Sequence, residues 1–116
     1  MNSFKNSVAG FSYSFNYEQN MIVIVIAAII AVIAGFVFSI TLMEWLFLIL
    51  IIGLIASTEL INTSIEAVVD LASPQKHSFA KIAKDTASAA VLIYVIVAII
   101  GGLIIFVPKI LAMFSV

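Results

Sequence analysis

The amino-acid sequence predicts an all-α membrane protein: an amphipathic surface helix near the N-terminus, followed by three transmembrane helices. Two observations carry that expectation. The chain is 65% hydrophobic with 9% charged residues, far outside the balance of a soluble globular domain. Its apolar residues are gathered into long runs separated by short polar breaks, as membrane spans require. At 116 residues it forms a single membrane-embedded domain. The formal net charge of −1 supplies no strong attraction to nucleic acid, so none is expected as a partner. With no cysteine, disulfides and thiolate metal sites are excluded.

Each element follows in turn. Residues 3–18 alternate apolar and polar groups at helical spacing, with Phe4, Val8, Phe11 and Phe15 on one side, which fits a helix lying at the membrane surface. A signal peptide would place its apolar region earlier and follow it with a small-residue cleavage site; MNSFKNSVAGFSYSFNYEQN does neither. Residues 21–43 carry no charge and are long enough to cross a hydrocarbon core of ~30 Å at ~1.5 Å per residue. Glu44 and Trp45 then mark a short polar break, tryptophan suiting the headgroup region. The second span, 46–71, begins apolar and keeps its helical pattern through a row of carboxylates until Ser73-Pro74 ends it. A polar loop with Lys76, His77 and Lys81 leads to the third span, 83–106, with Pro108 beyond its end and a short apolar tail after Lys109. Lys5 precedes the first span and Lys76, Lys81 and Lys84 lie between the second and third, which predicts a cytoplasmic N-terminus and second loop; Lys109 pulls the other way.

The chemistry is concentrated in TELINTSIEAVVD, residues 58–70. On a helix, positions 59, 62, 66 and 70 fall in a sector of roughly 80°, so Glu59, Asn62, Glu66 and Asp70 form one stripe. Thr63, about 40° from Glu59, extends it. Such groups can bind helices together, and Asp70 next to the loop could simply sit in headgroups or water. Carboxylates facing a bundle interior, however, usually mark function. The row alone is compatible with proton or ion transport, metal binding or acid–base chemistry. Lys84-Asp85 at the start of the third span and Glu18 before the first bring further charges to the same face, a set that suits a magnesium nucleotide: carboxylates hold the hard cation and lysine neutralises phosphate charge. The sequon Asn62-Thr63-Ser64 lies within a predicted helix at the cytoplasmic side and is a coincidence. His77, without a second histidine or cysteine, is a solvated residue before it is a metal ligand. No GxxxxGK[ST] or GxGxxG loop is present, so any nucleotide site must be of another kind.

ELINTSIEAVVD together with SPQKHSFAKIAKDTASAAVLI resembles the small bacterial integral-membrane lipid kinases, the prokaryotic diacylglycerol kinase and undecaprenol kinase family. Upstream, FKNSVAGF and YEQNM resemble the family's amphipathic helix and its Glu-x-Asn element, so the likeness covers essentially the whole chain. The resemblance implies a homotrimer in the bacterial cell membrane that moves a phosphoryl group from ATP, with Mg2+, to a membrane lipid alcohol. It implies Glu59 as the general base, Asn62 as its polar support, and Glu18 and Glu66 as metal carboxylates. Lys84 and Asp85 match nucleotide-contacting residues, Asp70 and His77 positions near the nucleotide, and Lys5 a basic position that reaches it.

The departures from the family pattern lie around the first span: Met21-Ile22-Val23-Ile24 stands where many relatives continue with Arg-Ile-His, and Ala9 and Ser12 stand where basic residues are common. They bear on efficiency and on the lipid chosen. The short first turn and the Ser-Pro-x-x-His loop look more like the undecaprenol kinase branch, with diacylglycerol as the alternative acceptor. A catalytically silent adaptor or a small transporter on the same fold is the alternative from another class.

Overall fold

The computed structural model describes residues 2–17 and 19–115. Four helices follow one another: α1 (Asn2–Tyr17), α2 (Gln19–Val37), α3 (Leu42–Ala72) and α4 (Ser78–Phe114). The last three are long and apolar enough to cross a membrane, and the chain is a multi-pass membrane protein. Its apolar side chains point outward: only 6% of the most apolar stretch of α4 is buried, and Ile93, Ile100 and Leu103 are exposed. The buried set is instead rich in polar groups, Ser14, Glu59, Asn62 and Thr63. In a lipid solvent this inversion is expected, because apolar side chains gain little by leaving it while polar groups must find partners.

The dominant pairing is between α3 and α4, an antiparallel hairpin closed by the short segment 73–77. Lys84 bonds Asp70 at one end of the hairpin, and Lys109 bonds Glu44 at the other. α2 packs along α3, and α1 meets both near the hairpin's closed end. The molecule measures 61 Å on its longest axis, close to the length of α4 with its 37 residues at ~1.5 Å each.

The first interhelical break lies earlier than the Glu44-Trp45 pair that the sequence suggests. α2 stops at Val37 because Ser39 adopts a left-handed conformation (φ 51°) and the chain turns back on itself. Ser39 N–H donates to the Phe36 carbonyl and Ile40 N–H to that of Gly35, at 3.3 and 3.1 Å, the paired bonds that close a helix end. Thr41 starts the next helix with a capping box: Thr41 Oγ1 accepts from Glu44 N–H at 3.2 Å, and Glu44 Oε1 accepts from Thr41 N–H at 2.9 Å. Glu44 and Trp45 are therefore inside α3. Trp45 lies over Gly35, where a Cβ would come within 2.6 Å of the indole, and stacks on Phe36 at 4.9 Å between ring centroids.

α4 is also longer than the expected 83–106. It begins at Ser78, capped by His77, and runs through Pro108 to Phe114. Proline removes a backbone donor, yet a membrane helix tolerates this where nearby groups re-satisfy the backbone. Beside the proline, Lys109 Nζ reaches back to the Ile105 carbonyl at 3.2 Å and across to Glu44, which anchors this end of α4 to α3. Around this end Ile40, Leu48 and Ile105 form the apolar cluster, with Phe38 edge-on to Phe106.

Candidate active site

Glu59 lies on α3, in the same uninterrupted helix as the lipid-facing residues before it. The helix carries polar groups without breaking because its hydroxyls bond back to carbonyls one turn earlier, Thr58 to Leu54 at 2.6 Å and Thr63 to Glu59 at 3.0 Å. Glu59 is 1% exposed and Asn62 4%. The neighbours of the Glu59 carboxylate are the side chains of Asn62 and Asn20, and Glu66 is the charge that acts on it. Even so, Glu59 Oε1 and Asn62 Oδ1 are buried without a hydrogen-bond donor. Two bare acceptor oxygens side by side are costly, and native structures keep such groups where a ligand or a reaction supplies the partner.

Farther along the same stripe the environment opens. Glu66 is half-buried, seven residues or ~10 Å beyond Glu59, and Asp70 is exposed a further turn on. Asp70 Oδ1 takes Lys84 Nζ at 2.6 Å, and Asp85 Oδ2 takes Lys81 Nζ at 2.6 Å. These two pairs flank a cavity of about 590 Å3 against the 73–77 segment, which also includes His77 among its walls. His77 has a local duty there: its Nδ1 accepts the Phe79 N–H at 3.1 Å and caps α4, leaving the proton of a neutral ring on Nε2.

The residues singled out in the sequence thus fall into two groups. Asp70, His77, Lys84 and Asp85 share the charged cavity, Glu59 and Asn62 are buried together one turn apart on α3, and Glu66 lies between. Lys5 is exposed on α1 and does not line that cavity. Glu18 lies outside the described residues. Asn20 and Ser14 enter the site without having been singled out. Asn20 was legible as the last residue of Glu18-Gln19-Asn20, and Ser14 as part of the small-residue stripe Ser7, Gly10 and Ser14, which follows helical spacing beside the aromatic face.

Among the described residues no group of three or more histidine, aspartate and glutamate side chains is gathered to hold a metal. The donors present, carboxylate and amide oxygens, are nonetheless the chemistry of a hard divalent cation. Magnesium in nucleotide sites uses one or two carboxylates and takes its other ligands from phosphate and water, so a sparse set fits it.

The family model for prokaryotic diacylglycerol kinase matches residues 5–106. Undecaprenol kinase of Bacillus subtilis is 38% identical over 107 residues, covering 92% of this chain and 87% of its own length. Diacylglycerol kinase of Synechocystis is 35% identical over 96% of this chain and 64% of its own, and that of Escherichia coli K12 37% identical over 65% and 62%. This chain therefore spans less than two thirds of those two proteins. The matched region holds α2, α3, both groups of site residues and most of α1 and α4, and the chain belongs to the prokaryotic diacylglycerol kinase family.

Proposed function

We propose that this protein is a lipid kinase that transfers the γ-phosphoryl group of ATP to the hydroxyl of a membrane lipid alcohol, with undecaprenol as the acceptor. The observation that carries the reaction is the bare oxygen of Glu59, buried at the lipid-side end of a stripe whose other end opens into a cavity with three lysines. The likeness to the Bacillus subtilis undecaprenol kinase along nearly the whole of both chains supports the choice of acceptor.

The residues divide the work by position. Lys84 and Lys81 offer charge for the phosphates in the cavity, while Asp70, Asp85 and His77 shape its wall; Lys5, on α1 outside that lining, is the further basic residue that the family resemblance assigns to the nucleotide. Glu66, with Glu18, would hold Mg2+, which when bound neutralises charge on the phosphate oxygens. Glu59 accepts the proton of the acceptor hydroxyl as its oxygen attacks phosphorus and the bond to ADP breaks. Asn62 and Asn20 orient that carboxylate.

The apolar side chains Phe4, Val8, Phe11 and Phe15 of α1 are exposed and suit a helix lying in the interface of the bacterial cell membrane. The N-terminus and the 73–77 segment are cytoplasmic in this reading. Lys109, which opposed that orientation as a free charge, is neutralised by Glu44 at 2.9 Å. The exposed Ser88, Ala89 and Ala90, with Ala83 and Ala87, permit close approach of a second helix and support assembly as a homotrimer.

The test is a competition. Purified protein in mixed micelles with ATP and magnesium should phosphorylate undecaprenol in preference to diacylglycerol at equal mole fraction. Preference for diacylglycerol would move the protein to the other branch; no lipid phosphate from either would leave a silent adaptor or a transporter.

A further inference from the structure

The largest side chains sealed from solvent are Met21, Glu59 and Ser14, at the end of the bundle where α1, α2 and α3 meet. Ser14 stands apart on its helix, since every other side chain from Asn2 to Asn16 is exposed. The group that α1 buries is a hydroxyl and none of its phenylalanines.

Proton accounting fixes the direction of its bond. Thr63 Oγ1 donates its single proton to the Glu59 carbonyl at 3.0 Å, so in the 3.3 Å contact between the two hydroxyls Ser14 is the donor and Thr63 the acceptor. The series Ser14 to Thr63 to Glu59 carbonyl ties the surface helix to the one turn of α3 that carries Glu59 and Asn62. Beside it lies a cavity of about 400 Å3 between the helices, lined by Ser7, Gly10 and Tyr13 on one side and Leu60 and Ser64 on the other. That volume has room for several waters, and the hydroxyl pair closes the seam against the turn that carries the buried Glu59.

We infer that Ser14 and Thr63 are positioning residues that latch α1 over the Glu59 turn and keep water from competing with the lipid hydroxyl. The inference rests on the lipid-kinase reading with Glu59 as base. With the latch open, water presents its O–H to Glu59 in place of the alcohol: a bond forms from the water oxygen to the γ-phosphorus, the bond to ADP breaks, the water proton passes to Glu59, and the products are ADP and inorganic phosphate. The latch thus sets the coupling between ATP consumed and lipid phosphorylated.

The experiment measures ADP and lipid phosphate together, using the full chain in mixed micelles with undecaprenol, ATP and magnesium. Ser14→Ala and Thr63→Val should each raise the ratio of ADP to lipid phosphate by roughly two- to tenfold, the equilibrium factor of one buried hydrogen bond, with KM for ATP unchanged. Ser14→Thr and Thr63→Ser, which keep the hydroxyl, should restore the wild-type ratio. If both products fell together at constant ratio, the pair would be structural and the inference wrong; uncoupling by the hydroxyl-retaining variants to the same degree would also overturn it. Should Thr63→Val fail to fold, Ser14→Ala on the exposed helix decides alone. A wild-type protein making no lipid phosphate would instead bring down the kinase reading, before any variant is compared.

Discussion

Two glutamates on the same helix face opposite circumstances. Glu44, at the open end of the α3–α4 hairpin, accepts the Thr41 N–H at 2.9 Å and Lys109 Nζ at 2.9 and 3.0 Å on its two oxygens. Glu59, fifteen residues or ~22 Å farther along, is more deeply buried and keeps an oxygen with no donor. The first carboxylate is saturated and holds two helices and a helix start together. The second leaves capacity unspent where spending it would stabilise the fold, and a polar group left so in apolar surroundings is poised for a partner from outside the chain. The contrast separates a structural carboxylate from the one proposed to react by their partners alone.

The sharpest way to break this contrast is to neutralise each glutamate in turn. With Glu59 as the proposed base, Glu59→Gln keeps the shape and removes the proton acceptor, so turnover should fall by roughly two orders of magnitude or more while thermal unfolding in detergent stays near wild type. Glu44→Gln should do the reverse, leaving turnover per folded molecule unchanged. Single-turnover phosphorylation of undecaprenol, paired with unfolding curves, checks both; equal effects of the two substitutions on turnover would erase the distinction.

Glu66 sharpens it from between the two circumstances, half-buried and within reach of the Glu59 charge. Glu66→Gln and Glu18→Gln should each raise the magnesium concentration needed for half-maximal activity on the order of tenfold or more, since even outer-shell groups contribute ten- to a hundredfold to metal affinity. Excess magnesium should recover part of the rate. A magnesium titration that superimposes on wild type would remove both residues from the metal site.

At the saturated end the expected effects are on stability. Glu44→Gln or Lys109→Met alone leaves a half-buried charge without its partner, and each should lower the melting temperature by several degrees. The double substitution should cost less than the two losses added, which a double-mutant cycle in detergent measures. Strict additivity would mean that the pair does not hold α3 to α4.

Much of this was legible in the sequence, and the failures are instructive. The apolar runs and the stripe from Glu59 to Asp70 could be read because a period of 3.6 and the cost of burying charge act locally. The first turn was misplaced because Glu44 looked like a polar interruption, when it is the third helical residue and closes a capping box whose signature, Thr41-x-x-Glu44, was in plain sight. α4 outran its predicted end because the helix continues through Pro108 and is held there by a contact that only the fold makes, Lys109 and Glu44 being 65 residues apart. Ser14 was passed over because its partner Thr63 is 49 residues away: the stripe of Ser7, Gly10 and Ser14 was visible, but nothing local says which of its members meets α3.

The smallest expected effect tests whether the saturated end is structural throughout. Ser39 holds a left-handed backbone (φ 51°), and strained residues of that kind often cluster at functional sites. Here the strain has a local purpose, since the turn lets Ser39 and Ile40 close the α2 terminus on the Phe36 and Gly35 carbonyls. An L-residue gives up roughly 1–2 kcal/mol in that conformation, whereas glycine enters it freely but loses more chain entropy, roughly 0.5–1 kcal/mol. Ser39→Gly should therefore gain up to about 1 kcal/mol of stability with turnover unchanged, and Ser39→Val should lose stability because a β-branched side chain resists positive φ. Thermal unfolding of the two variants beside undecaprenol phosphorylation reads both quantities. A stabilised Ser39→Gly with impaired turnover would show that strain at this end is transmitted along α3 to Glu59, and the division between a structural and a reactive end would have to be given up.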